Sequence, residues 1–324
     1  MSRAEAISIG HHRIAIVGFH RVREDHYDTR LTCLILTRCS DGSFTEEVIP
    51  SPFKDTLAKN GLAFTENRLV MLLTGTVGSS SDTDGFIVTL HLDSCIWTCT
   101  AATTMPCRSL RVKGVFVLDD SLYIVGKEEG VAGTTVVMCE MDHVTDMGTM
   151  EWEEQHFDDY QYYCCTRMGD TAYLLDVNAW GSPGLYSFQP YEEAVGEAPL
   201  PWQGISGVSY SITPVGRHLF VTREVMDWVE DAEGVERLPC RHLAYSFSLV
   251  SQEWAEYDIE DMIHVTWPAG TISVTPHHLG DNDIFFLGYT RDDREIRCAV
   301  ATNFLPGGDD YVSAGRWNVM DPDA

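Results

Sequence analysis

The chain has 324 residues, and 44% of them are hydrophobic, which is enough apolar material for a large folded core. Its 49 acidic and 22 basic side chains give a formal net charge of -27. This balance argues against a nucleic acid or an anionic membrane surface as the main partner, since both require positive potential. No run reaches the roughly 18 apolar residues that a membrane-spanning helix needs. We therefore expect neither a nucleic-acid nor a membrane partner.

The chain begins with strand-like segments separated by polar turns. The runs AISIG, HHRIAIVG and RLTCLILT are rich in β-branched residues, and a fourth segment starts near Phe44. The same order then recurs five times along the chain. In every copy a polar or glycine turn leads into a short apolar strand, and these strands end at Gly18, Gly75, Gly126, Asp176, Arg223 and Gly288, at intervals of 47 to 65 residues.

Four strands that recur about every 50 residues match the period of a β-propeller blade. We therefore predict an all-β fold, a six-bladed β-propeller with four antiparallel strands per blade, formed by a single domain over residues 1–324. A strand covered on both faces reads as continuously apolar, as LYIVG at 122–126 does. The predicted blades span approximately residues 4–50, 61–102, 113–156, 163–202, 208–257 and 271–320.

A tryptophan often occurs in the fourth segment of a blade, where it is large enough to fill the gap that widens outward between neighbouring blades. This residue is Trp97 in the second blade, Trp152 in the third, Trp254 in the fifth and Trp317 in the sixth, and Phe44 takes its place in the first blade. In the fourth blade Trp202 comes later than the pattern requires. Residues 1–9 either begin the first blade or complete the last one. Only residues 51–60 and 256–264 have a pattern that could form a turn or two of helix.

These strand, glycine and tryptophan motifs resemble the kelch-repeat family and, more broadly, galactose-oxidase-like propellers, over residues 4 to 320. The chain departs from the kelch pattern because single glycines stand where a kelch repeat has a pair, and Asp176 and Arg223 replace the glycine outright. The resemblance implies a diverged kelch-like propeller. No residues match the copper site of galactose oxidase, so that activity is not implied.

Ten cysteines are scattered through the chain, mostly inside apolar runs, and none forms a Cys-x-x-Cys motif. No Asn-x-Ser/Thr sequon and no secretory leader pattern is present. Together these features predict reduced thiols and a cytoplasmic or nuclear location.

Signatures of catalysis and of metal binding are mostly missing from the sequence, and we predict no cofactor and no metal site. The pairs His11-His12 and His277-His278 lie in turns of the first and sixth blades, which are neighbours in a ring. We expect the two turns to lie near each other as surface turns rather than as a metal site. Cys164-Cys165, in the first strand of the fourth blade, is expected to be a buried structural pair.

One end of the predicted propeller collects aromatic and basic residues on its long loops. The loops between the second and third strands of each blade and the loops between blades share this end. Arginines near residues 21–30 and 105–113, with Lys113, form a basic cluster in an otherwise acidic chain. Aromatic and arginine side chains dominate interaction hot spots. The predicted partner-binding residues are Arg21, Arg23, Arg108, Arg111, Tyr160, Trp180, Trp228 and Trp267.

We therefore predict a non-catalytic interaction propeller that binds a protein or peptide partner through this loop face, as part of a larger intracellular complex. Two alternatives stay open: an enzyme with a site in the central channel, and a carbohydrate-binding propeller. The first would need a nucleophile–base pair that the sequence does not reveal. The second would need the same pocket in each blade, whereas these loops differ in length and composition. The sequence does not predict an oligomeric state.

Overall fold

The repeat is confirmed in the computed structural model, which is a six-bladed β-propeller built almost entirely of antiparallel strands. The structure describes residues 2–21, 29–54, 57–76, 83–101, 110–128, 130–141, 151–157, 162–177, 183–189, 195–202, 207–225, 228–231, 234–237, 241–259, 271–280, 283–290 and 296–301. Among these residues, no helix has the length and the apolar character needed to cross a membrane.

Four of the six blades are sheets of four strands that follow one another directly in the chain. The first is β1 (Ser2–Gly10), β2 (Arg13–Arg21), β3 (Thr29–Arg38) and β4 (Phe44–Lys54), and the second is β5 (Leu57–Thr65), β6 (Arg68–Thr76), β7 (Thr83–His91) and β8 (Ile96–Ala101). The third is β9 (Arg111–Leu118), β10 (Ser121–Lys127), β11 (Thr134–Glu140) and β12 (Trp152–Phe157), and the fourth is β13 (Tyr162–Met168), β14 (Thr171–Asp176), β15 (Gly184–Phe188) and β16 (Val195–Pro199).

The last two blades differ in detail. The fifth pairs β17 (Gly207–Val215), β18 (His218–Val225), β21 (Arg241–Ser248) and β22 (Trp254–Asp258), with a separate hairpin of β19 (Trp228–Asp231) and β20 (Gly234–Arg237) inserted between β18 and β21. The sixth has three strands within the described residues, β23 (Thr271–Gly280), β24 (Asp283–Thr290) and β25 (Ile296–Ala301).

Two alternatives from the sequence are decided by the strand pairing. Strand β1 belongs to the first sheet, so the amino-terminal residues begin the first blade. The expected helical turn at residues 51–60 is wrong, because β4 continues to Lys54 and β5 starts at Leu57. Pairing within two neighbouring sheets outweighs the weak local helical pattern. In 256–264 the described residues up to Asp258 belong to β22.

The contacts divide the chain into two compact units, Met1–Ile14, Thr37–Phe44 and Pro201–Ala324 in the first, and Ala15–Leu36 and Thr45–Leu200 in the second. In the first unit, the core between the fifth and sixth blades is centred on Phe220, Phe286 and Tyr257. In the second unit, one cluster joins the second and third blades through Leu72, Ile124 and Val137. Another joins the third and fourth through Tyr123, Leu174 and Phe188.

Within the first unit, the turn that carries His11 and His12 touches the end of β23, so the two histidine pairs lie near each other as the sequence predicted. The prediction of a surface turn is wrong for the second pair, because His277 and His278 lie within β23 and His277 is buried. The His12 N–H donates a hydrogen bond to the Leu279 carbonyl at 2.6 Å. Arg38 forms an ion pair with Asp283 beside this junction. A Cβ added at Gly280 would lie 2.6 Å from His11 Nδ1, so only glycine fits at this close approach.

Candidate functional site

In the second unit, the first strand of each of three consecutive blades carries one extra residue at the same place. In β9, Val112 pairs with Gly126 and Gly114 pairs with Val125, so Lys113 is the extra residue of a β-bulge. Asn60 in β5 and Tyr163 in β13 occupy the equivalent bulge positions. A bulge bends its strand and redirects a side chain, and bulges are over-represented next to functional sites.

The bulge at Lys113 lies in a cluster of basic residues that we call the basic bulge, formed by Arg111, Lys113 and Lys127. Arg111 and Lys127 are exposed and stand directly opposite each other where β9 begins and β10 ends, and Lys113 is half-buried. Burial lowers the pKa of the Lys113 ammonium, and the nearby charges of Arg111 and Lys127 lower it further, against an opposing effect of Cys164. Three mutually repelling cations are a setting that favours a bound anion.

Close backbone packing positions Arg111 in this cluster. A Cβ added at Gly126 would lie 2.6 Å from Leu110 Cγ and 2.9 Å from the Arg111 carbonyl oxygen. The glycine that ends the DDSLYIVG segment therefore allows the start of β9 to pack directly on the end of β10. In the fourth blade Asp176 takes the equivalent position and is buried.

The structure describes only some of the eight partner-binding residues predicted from the sequence. Arg111 lies in the basic bulge. The backbone of Arg21 ends β2, and Trp228 begins β19 opposite Arg237 in the inserted hairpin. The remaining predicted residues, Arg23, Arg108, Tyr160, Trp180 and Trp267, lie outside the described residues.

Lys127 is a member of the basic bulge that the sequence analysis missed. It immediately follows Gly126, so its position one residue past the repeated apolar strand is the signal that could have found it. A residue there lies at the same end of the sheet as the first residues of the preceding strand, because neighbouring strands are antiparallel.

Trp202, which comes late in the pattern of the fourth blade, has a packing role in the first unit. Its ring lies 4.6 Å from that of Tyr245 and 6.2 Å from that of Trp254, measured between centroids. The Arg223 guanidinium lies 5.5 Å from the Trp202 ring centroid, within cation–π range. These contacts cover the indole with side chains of the fifth blade, so Trp202 acts as a packing residue there.

The thiols and histidines singled out in the sequence differ in burial. Eight cysteines are described, and all of them are free thiols. His277 is buried and its Nε2 lies 3.0 Å from Thr275 Oγ1. Within the described part of the chain, no three His, Cys, Asp or Glu side chains are grouped to hold a metal ion.

We predict that native thiol labelling separates these cysteines by burial. Cys95 is exposed, whereas burial raises the pKa of Cys33 to about 12 and raises that of Cys164 strongly. Because the thiolate is the reactive species, maleimide at neutral pH should modify Cys95 well before Cys33 or Cys164. Peptide mass spectrometry over a time course measures the order. Labelling of Cys164 as fast as Cys95 would contradict the buried pair.

Comparisons with known proteins find similar solved structures but no family. No family model and no curated protein matches the chain. The parainfluenza virus 5 hemagglutinin-neuraminidase with the ligand DANA is 9% identical, with a TM-score of 0.51, covering 93% of this chain and 88% of that one. The β-propeller domain of the Trilobed protease from Pyrococcus furiosus is 10% identical, with a TM-score of 0.46 and coverage of 94% and 95%. The catalytic domain of a Coprinopsis cinerea GH62 α-L-arabinofuranosidase is 9% identical, with a TM-score of 0.41 and coverage of 98% and 95%.

Proposed function

We propose that this propeller is a non-catalytic interaction module that binds an acidic segment of a protein or peptide partner at the basic bulge. The observation that carries the proposal is the gathering of Arg111, Lys113 and Lys127 at one strand end in a chain of net charge -27. Such a local reversal of charge attracts carboxylates while the rest of the surface repels them. The loop residues Arg108, Tyr160 and Trp228 stay predictions from the sequence for contacts with the same partner.

A fixed bulge suits this role because it holds the cations before the partner arrives. Lys113 lies in a bulge within a paired strand, and close packing at Gly126 fixes the start of β9 next to it. Preorganised groups lose less conformational entropy on binding, so more of the interaction energy appears as affinity. The kelch-like resemblance adds an analogy of fold only.

The test is affinity capture of the tagged protein from its native lysate, followed by titration with the purified partner. The variant Arg111→Glu/Lys127→Glu reverses two exposed charges without touching the core. We expect it to weaken binding of the partner at least about tenfold, and added salt to weaken the wild type toward the same value. Arg217→Glu, in an exposed turn of the first unit, is the control and should bind within about twofold of the wild type.

Equal binding by the charge-reversed variant and the wild type would refute the basic bulge as the site. The enzyme alternative is tested on the same samples. It rests only on analogy of fold with the hemagglutinin-neuraminidase, which is 9% identical to this chain. Turnover of a glycoside substrate by the wild type would favour the enzyme over the interaction module.

A further inference from the structure

A cavity of about 260 Å³ opens between the third and fourth blades, within the second unit. Its floor is apolar, because Tyr123, Val136 and Phe188 are buried there, and Met138 contributes a partly exposed side chain. Its rim is formed by consecutive residues of the outermost strand β12, which are Glu153, Glu154 and Gln155. Both glutamates are exposed.

The cavity exists because the fourth blade departs from the repeat. In the third blade, Trp152 pairs with Cys139 and packs on the cluster shared with the second blade. In the fifth blade, Trp254 holds the corresponding place opposite Phe247. The described residues of β16, Val195–Pro199, pair with β15 from Ser187 onward and include no tryptophan.

A second small residue widens the same gap. Ala172 lies opposite Phe188 in the fourth blade, whereas Leu122 and Leu219 hold the equivalent positions of the third and fifth blades. Ala172 belongs to the cluster between the third and fourth blades, so its missing side-chain volume is lost at that interface. Among the described residues, the fourth blade therefore lacks two large side chains that the third and fifth blades have.

Size and charge together define what the cavity can hold. Pockets for drug-sized ligands span about 300 to 1,000 Å³, so a cavity of about 260 Å³ suits one large apolar side chain better than a whole small molecule. The exposed glutamates at its rim favour positive charges on either side of that side chain. A hydrophobic anchor in a desolvated pocket with a charged rim is the usual form of an interaction hot spot.

We propose that this cavity is a docking site for a basic peptide segment of a partner protein, which inserts one tryptophan-sized or phenylalanine-sized side chain between its lysines or arginines. The inserted ring would pack against Tyr123, Phe188 and Met138, where the repeat elsewhere places its own tryptophan. Glu153, which lies on the same face of the sheet as Met138, would pair with a flanking cation, and Glu154, on the opposite face of this edge strand, would add negative charge at the rim. This surface is separate from the basic bulge and selects a partner of the opposite charge.

The test measures fluorescence anisotropy of a labelled pentapeptide, Lys-Lys-Trp-Lys-Lys, binding to the full chain. Two comparison peptides replace the tryptophan with alanine or the lysines with glutamate. We expect each replacement to weaken binding at least about tenfold, because each removes one half of the recognition. Met138→Trp, which fills the cavity from its own wall, should weaken the tryptophan peptide similarly while the thermal melt confirms folding.

A second test reverses the charges at the rim of the cavity and compares the result with the same change elsewhere. All four residues are exposed, so neither variant alters the core. Glu153→Lys/Glu154→Lys should weaken the tryptophan peptide about tenfold. Glu46→Lys/Glu47→Lys makes the same change at two exposed neighbours on β4, the outer strand of another blade, and should stay within about twofold of the wild type. Equal losses in the two variants, or equal binding of the alanine and tryptophan peptides, would show only general attraction to an acidic protein and overturn the docking site.

Discussion

Replacing Gly114 with alanine should lower the free energy of unfolding by about 2 kcal/mol, although it adds a single methyl group. The new Cβ would overlap the Cys165 sulfur of the neighbouring first strand. The sulfur has little room to turn away, because Cys165 packs against the core cluster between the third and fourth blades. Urea unfolding at constant pH measures the loss as a change in midpoint at unchanged slope.

The same substitution should become nearly harmless once the sulfur is removed. The added Cβ would lie 3.6 Å from Cys165 Cβ, which is ordinary van der Waals contact. In a Cys165→Ala background, Gly114→Ala should therefore cost less than about 0.5 kcal/mol, giving a coupling energy near 2 kcal/mol. Gly196→Ala is the control, because its nearest atom, on the Tyr186 ring, lies 3.6 Å away. If the losses of unfolding free energy from Gly114→Ala and Cys165→Ala simply add, the contact with the Cys165 sulfur is not the reason that position 114 requires glycine.

A repeated packing rule explains this glycine. Gly61 in β5 follows its bulge as Gly114 follows Lys113, and a Cβ at Gly61 would overlap Val115 of β9. The first strands of neighbouring blades thus approach each other more closely than a side chain allows. In the fourth blade the residue that follows the bulge is Cys164 instead of glycine.

The fold could be predicted from the sequence because it depends on a pattern that repeats six times. Each copy has a turn, an apolar strand and a further strand that follows it, so an irregularity in one copy leaves the period of the repeat intact. The bulges could not be predicted, because one extra residue in a strand leaves the count of apolar residues unchanged. The helical prediction at 51–60 was wrong because local propensity does not reveal that these residues pair with strands of two different sheets.

The candidate site was predicted less well, for a physical reason. Arg111 was found because basic residues are few in this chain, 22 against 49 acidic ones, but Lys127 entered the cluster only through the strand pairing. The late position of Trp202 indicated that the fourth blade is irregular. Only the packing shows that the irregularity leaves a cavity beside Phe188, because a gap depends on what neighbouring side chains fail to fill.

Lowering the pH from 6.5 to 5 should cost about 2 kcal/mol of stability through His277 alone. Burial lowers the pKa of this imidazole from its usual value of 6.5 to about 3. Between these two values the unfolded chain binds a proton that the folded chain excludes. Stability therefore rises with pH across this window, and it is lost progressively as the pH falls from about 6.5 toward 3.

The variant His277→Gln keeps a polar side chain beside Thr275 but cannot take up this proton, so its stability should depend less on pH. We expect the difference in unfolding free energy between wild type and variant to shrink by about 2 kcal/mol from pH 7 to pH 5. Parallel pH profiles for wild type and His277→Gln would mean that the buried imidazole is protonated in the folded protein, which its enclosure beside Phe285 opposes.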